Sequence, residues 1–222
     1  MKSYHQYCGL ARTLDLIGDR WTVLILRELA VRDCRYTDLR DGLPGIATNL
    51  LAERLRVLGE HEIVERRDEP APVATALYSL SERGRGLVPA LHELVRWSTP
   101  LMLGGPDEHD AERGCWLAFA AASYLRSAPT DVSLLVAFEC GGEIVGLHVA
   151  SGRIEIGLVG DPGAETDLRV AGSVWAVMGL VSGALSMDRL LLLDDAARID
   201  GSRAARRSLA ALIRHNRIAA AA

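Results

Sequence analysis

The chain has 222 residues, of which 49% are hydrophobic and 24% charged, and its net charge is -4. That length favours two domains of about 100 residues each, and the composition is that of a globular protein able to bury a core. Before residue 100 there are 14 basic and 14 acidic residues, and after it 11 against 15. Nothing global therefore advertises nucleic acid, and any surface that binds it must be a local patch.

The four cysteines, Cys8, Cys34, Cys115 and Cys140, lie far apart without a CxxC or Cys/His cluster, so no metal site is expected. The opening "MKSYHQYCGLARTLD" lacks the apolar run of a secretory signal. A cytoplasmic protein with free thiols and no cofactor is the expectation.

In chain order, Asp19 is placed to cap a helix "RWTVLILRELA", whose Trp21, Ile25 and Leu29 recur at helical spacing. "CRYTDLRDGLPG" offers a short helix and a Leu-Pro-Gly stop. "GIATNLLAERLRVLGEHEIVERR" follows, from Gly45 to Arg67. Its Leu51, Leu55 and Leu58 are spaced to face a core, while Thr48, Asn49, Ala52, Glu53 and Arg56 share the opposite side. Two strands are expected at "EIVERR" and "ALYSLS", around the loop "DEPAPVAT". Ser81 then caps one helix through "ERGRGLVPALHELVRWS", striped by Leu87, Leu91 and Leu94, with Pro89 kinking it or lying near its first turn.

"GGPDEHD", Gly104 to Asp110, reads as a linker, which divides the chain into domains 1–104 and 109–222. Beyond it come a helix "CWLAFAAASYLRS", strands "VSLLVAFEC", "EIVGLHVA" and "RIEIGLV" joined by the hairpin turns "CGGE" and "ASGR", and the strand "TDLRVAG". Val170 to Met187 carries no charge over 18 residues and is expected to form one long buried helix rather than a membrane span. A closing helix completes the domain. The second half is therefore α+β with a mainly antiparallel sheet.

The order of helix, helix, amphipathic helix, hairpin and closing helix is that of a winged helix-turn-helix. On such a helix Asn49 suits adenine edges, Arg56 guanine, and Ala52 leaves room for thymine methyls, with Thr48 and Glu53 on the same face. Arg35, Thr37 and Arg40 just upstream, and Arg66 and Arg67 at the base of the wing, are candidates for phosphate contact. Any amphipathic helix exposes such residues to water. The ordered elements around this one favour recognition.

From Cys8 to Trp97 the sequence resembles the HxlR family of winged-helix transcription regulators. The resemblance is carried by the IG-x-x-W-T-x-x-I-L-R-E-L block, the L-P-G-I turn, the L-x-x-R-L-x-x-L helix and Y-S-L-S-x-x-G-x-x-L-x-P-x-L. It implies a homodimer, joined through the first and closing helices, whose two recognition helices read a pseudo-palindromic operator in double-stranded DNA. It also implies an oxidant-sensing role for Cys8. This chain departs from the family in having Ala47 where a capping Ser is common, so Thr48 is expected to cap one residue later. Its wing carries Asp68 and Glu69 and lacks the usual Arg near the return strand.

The second half shows no catalytic set. His109, His148 and His215 are scattered, and no phosphate loop or nucleophile elbow occurs, so an enzyme is not expected. Its aromatic and sulfur side chains, Trp116, Phe119, Phe138, Trp175 and Met178, either make core or line an apolar pocket. "ETDLRVAGSVWAVMGLVSGALSMDRLL…ARIDGSRAARRSLAAL" resembles the sterol carrier protein type 2-like domain, which implies a tunnel for a hydrophobic ligand between sheet and helices. Arg203, Arg206, Arg207, Arg214 and Arg217 form a basic run that is expected to be solvated.

The reading is a homodimeric transcriptional repressor whose C-terminal domain senses a hydrophobic small molecule. The alternatives are a lipid-type carrier that uses the winged helix to dimerise, and a redox-sensing regulator working through Cys8.

Overall fold

In a computed structural model the described residues are 3–70, 75–102, 104–160 and 166–221, the side chains of 218–221 excepted. The chain divides into two units, Met1–Leu91 and His92–Ala222.

The first unit begins with α1 (Gly9–Ile17), α2 (Thr22–Val31), β1 (Cys34–Arg35) and α3 (Tyr36–Gly42). After these come α4 (Thr48–Glu60), β2 (Val64–Asp68), β3 (Ala76–Leu80) and α5 (Glu82–Arg85). Ile25 and Leu29 of α2 are buried and Trp21 half-buried, so the predicted stripe does face the core. Asp19 does not cap this helix with its side chain. Trp21 is the capping residue, the Asp19 carbonyl accepts from the Thr22 amide at 3.0 Å, and the Asp19 carboxylate pairs with Arg54.

Strands β1, β3 and β2 form an antiparallel sheet in that order, with Cys34 opposite Tyr78 and Arg66 opposite the same Tyr78. The two-residue β1 is too short to show a period-two pattern, which explains its absence from the sequence reading. Residues 71–74 of the expected wing loop lie outside the described residues.

The expected closing helix is two helices. Ser81 caps α5 by accepting from the Gly84 amide at 3.0 Å, but the chain breaks at Gly86 and resumes as α6 (Val88–Ser98). Pro89 sits in the first turn of α6, where a missing N–H costs nothing. Gly84 must be glycine, because a Cβ there would lie 2.1 Å from the Ile63 carbonyl oxygen.

The second unit contains α7 (Gly114–Tyr124), β4 (Leu134–Cys140), β5 (Glu143–Ala150), β6 (Arg153–Val159) and β7 (Leu168–Ala171). It continues with α8 (Val174–Val181), α9 (Met187–Leu193), β8 (Arg198–Gly201) and α10 (Arg203–Ala221). The sheet order is β6-β5-β4-β7-β8, antiparallel except where β4 runs parallel to β7. Both predicted hairpin turns use left-handed backbone, at Gly141 and Gly142 and at Ser151 and Gly152. Helix α7 is buried nearly all round, as its unbroken apolar run requires.

The uncharged stretch Val170–Met187 is not one helix. It finishes β7, forms the eight-residue α8 and enters α9. Its serines and glycines are the punctuation: Ser173 caps α8 through the Ala176 amide at 3.2 Å, and Ser186 caps α9 through the Arg189 amide at 3.2 Å. Between them Gly183 adopts φ +74°. No helix among the described residues is long and apolar enough to cross a membrane.

Candidate nucleic-acid interface

Helix α4 buries Leu51, Leu55, Val57 and Leu58 and leaves Thr48, Asn49, Ala52, Glu53 and Arg56 exposed along one stripe. Its start is fixed by Tyr36, whose hydroxyl donates to the Thr48 carbonyl at 2.7 Å and so ties the first residue of α3 to the first of α4. Sequence reasoning overlooked this residue, since Tyr36 precedes the apolar pattern and the contact spans 12 positions. Thr48 is not the cap. It is the first helical residue, and Ala47 stands at the N-cap without a side-chain bond. The α4 amides at this end are thus left without a side-chain acceptor from the cap, and together with the helix dipole they suit a phosphate.

The far end of α4 is closed by a Schellman arrangement, in which the Ile63 amide donates to Leu58 O at 2.9 Å and the Glu62 amide to Gly59 O at 3.0 Å. Glu62 occupies the left-handed position with φ 56°, where glycine is usual. Ile63 and Leu58 are both buried beside it, so the helix end delivers the chain directly into β2.

The charges on this surface are largely paired within the protein. Arg56 donates to Glu53 at 2.8 and 3.0 Å and also to Glu60. The Arg56 hydrogen bond holds the Glu53 carboxyl below its usual range, and Glu53 raises Arg56 in return. Arg40 pairs with Asp41 at 3.0 Å, Arg66 with Asp68 at 2.9 Å, and Arg67 with Glu69 at 2.6 Å. Thr37 is exposed on α3. Arg35, also exposed, forms no ion pair among the described residues, which makes it the uncommitted cation of the set.

A cleft of about 570 Å³ between α1 and α4 sets Asp15, Asp19, Glu53 and Glu60 against Arg54 and Arg56. Carboxylates outnumber guanidiniums there, so this cleft repels phosphate. The α4 stripe borders this cleft through Glu53 and Arg56, and its remaining residues Thr48, Asn49 and Ala52, with the Arg35 end of α3, are the candidate surface for a duplex.

Cys8 is exposed at the N-cap of α1, whereas Cys34, Cys115 and Cys140 are buried. Burial pushes the Cys34 thiol up to about 11 and the Cys140 thiol up to about 12.

The five apolar side chains considered for a ligand pocket differ in burial. Phe138 is fully buried in β4, and Phe119 packs in the core with its ring 4.7 Å from that of His92. Trp116 and Met178 are half-buried, and Trp175 donates from its indole to the Met102 carbonyl at 3.2 Å. None of them lines the cavity of this unit described below.

Helices α2, α3 and α4 followed by the β2–β3 hairpin, with the polar stripe of α4 outward, define a winged helix-turn-helix protein. The model of the HxlR-like helix-turn-helix family matches residues 16–103. HTH-type transcriptional regulator sll1512 of Synechocystis is 39% identical over 90 residues, which are 39% of this chain and 67% of that protein. HTH-type transcriptional regulator YodB of Bacillus subtilis is 35% identical over 84 residues, 38% of this chain and 75% of that protein. The solved reduced form of YodB from B. subtilis aligns at 30% identity over 46% of this chain and 100% of that one, with a TM-score of 0.40. The chain belongs to the HxlR-like helix-turn-helix family, and it is a DNA-binding transcriptional regulator.

Proposed function

We propose that this regulator is a cytoplasmic, non-enzymatic homodimer that represses from a pseudo-palindromic operator and is released by a small molecule held in its second unit. The observation that carries the DNA-reading part is the α4 stripe, with Asn49 and Ala52 exposed beside the Arg56–Glu53 pair. Dimerisation is supported by exposed apolar side chains on the predicted interface helices: Leu10 and Leu14 on α1, and Leu94 and Trp97 on α6. Two recognition helices related by a two-fold axis read half-sites about one helical turn apart. The sterol carrier-like reading of the second unit is supported by its five-stranded sheet and by the apolar helices α7 and α8. An effector works there only through different affinity for the DNA-competent and DNA-incompetent arrangements. The test is gel-shift binding to an inverted-repeat duplex: weakened binding with Asn49→Ala supports the reading, and binding unaffected by Asn49→Ala, Arg56→Ala and added salt contradicts it. Retained apolar-ligand binding by a chain that binds no duplex would favour the carrier alternative.

One observation favours a thiol-based switch as a second reading: Cys8 is exposed beside the apolar surface of α1. If oxidant treatment releases the native protein from DNA and not the Cys8→Ser protein, the switch is Cys8.

A further inference from the structure

A cavity of about 290 Å³ opens in the second unit between the last turn of α7, the turn that closes α8, and α10. Its floor is apolar, formed by Val181 and Ile213, which are 1% and 6% exposed. Its rim carries Arg96, Arg126 and Arg217. One wall is held by buried Asn216. The Asn216 Nδ2 donates to Ser127 O at 2.9 Å and Leu212 O at 3.0 Å, while Oδ1 accepts from the Arg126 and Ser127 amides at 2.8 and 3.1 Å. All four hydrogen-bonding positions of that amide are occupied, so Asn216 shapes the cavity and leaves recognition to the guanidiniums.

Charge is unbalanced around this recess. Glu93 serves both Arg96, at 3.1 Å from its Nε, and Arg126, at 2.9 Å. Arg217 donates to the Gly183 carbonyl at 2.8 Å and pairs with no carboxylate among the described residues. Three guanidiniums thus face one carboxylate beside an apolar floor. A planar guanidinium in such a place suits a planar anion. The floor in turn requires that the anion carry hydrocarbon, because a bare phosphate would leave it uncovered. At about 30 Å³ for each water-sized group, the space takes roughly ten non-hydrogen atoms.

We propose that this cavity binds a medium-chain organic monocarboxylate, with the carboxylate at Arg217 and the chain on Val181 and Ile213. This deepens the effector reading above and rests on it only for the regulatory consequence. Titration calorimetry on the full chain with octanoate, octan-1-ol and octylammonium tests it. Octanoate is expected to saturate one site per chain, octanol to bind at least tenfold more weakly, and octylammonium not at all. Arg217→Met should weaken octanoate about tenfold, as loss of a charged hydrogen bond does, and Arg217→Lys should restore only part of that loss. Ser127→Trp, at the exposed rim, should block octanoate without removing a charge. Equal affinity for octanoate and octanol overturns the proposal, as does octanoate binding unchanged in Arg217→Met or in Ser127→Trp. Operator binding measured with saturating octanoate separates the two claims: saturable uptake with unmoved operator affinity upholds the carboxylate site and removes its role as effector.

Discussion

Arg56 donates to Glu53 and Glu60 in the free protein, so a guanine or phosphate must displace carboxylates to reach it. Removing one of them should therefore help. Glu53→Gln is expected to raise affinity for any duplex several-fold, measured by fluorescence anisotropy, because it deletes a negative charge from the surface that meets phosphate. Arg35→Ala should flatten the logarithmic salt dependence by about one, the signature of a lost phosphate contact. The sign of the pH effect follows from the depressed Glu53 carboxyl: its pairing with Arg56 persists at neutral pH and is lost only as pH falls through that lowered value. Any change in operator affinity between pH 8 and 6 should then owe nothing to titration of Glu53. The cysteines give a second prediction at this scale. In the native protein a thiol reagent should label Cys8 fast and the three buried thiols only on unfolding; equal rates for all four would contradict the burial seen here. The stripe of α4 was legible because leucines at helical spacing leave only one face for polar residues. The pairing of Arg56 was legible too, with Glu53 three residues before and Glu60 four after, yet only side-chain geometry distinguishes an occupied arginine from a free one.

Elements in this chain begin and end on short-range chemistry. Glu62 takes a left-handed conformation at the end of α4, which costs a side chain about 1–2 kcal/mol that glycine avoids. Glu62→Gly should accordingly stabilise the protein by about 0.5–1 kcal/mol after the added freedom of the unfolded glycine is subtracted, read as a higher melting temperature. Ser173→Ala should cost about 1 kcal/mol by removing the cap of α8. The same caps explain why Val170–Met187 was misread as one helix: hydropathy is continuous there, and the boundaries lie in Ser173, Gly183 and Ser186. The strands of the second unit were readable from alternation and from their glycine turns. The break between α5 and α6 was hidden because the leucine stripe begins only at Leu87, beyond Gly86, so no periodicity marks where the helix capped by Ser81 ends. Large apolar side chains mark core and pocket alike, so residue type alone could not separate the two roles for Trp116, Phe119, Phe138, Trp175 and Met178.

The whole molecule leaves apolar surface on both helices expected at a dimer interface, with Leu10 70% exposed and Trp97 75% exposed. Surface of that kind on named helices favours a self-complementary partner. Light scattering should give a mass near twice 24.0 kDa, and Leu10→Arg should shift it toward one chain and abolish tight binding to a two-half-site duplex. A monomer that still binds such a duplex tightly would contradict the dimer. The central claim, that the polar edge of α4 reads base edges, is tested most directly by selecting duplexes from a random library with the full chain and with Asn49→Ala. The account predicts one enriched inverted repeat, and an Asn49→Ala protein that loses about 1–3 kcal/mol of discrimination at one position of each half-site while still binding DNA. No enriched sequence, or the same preference at every position after the substitution, would contradict it.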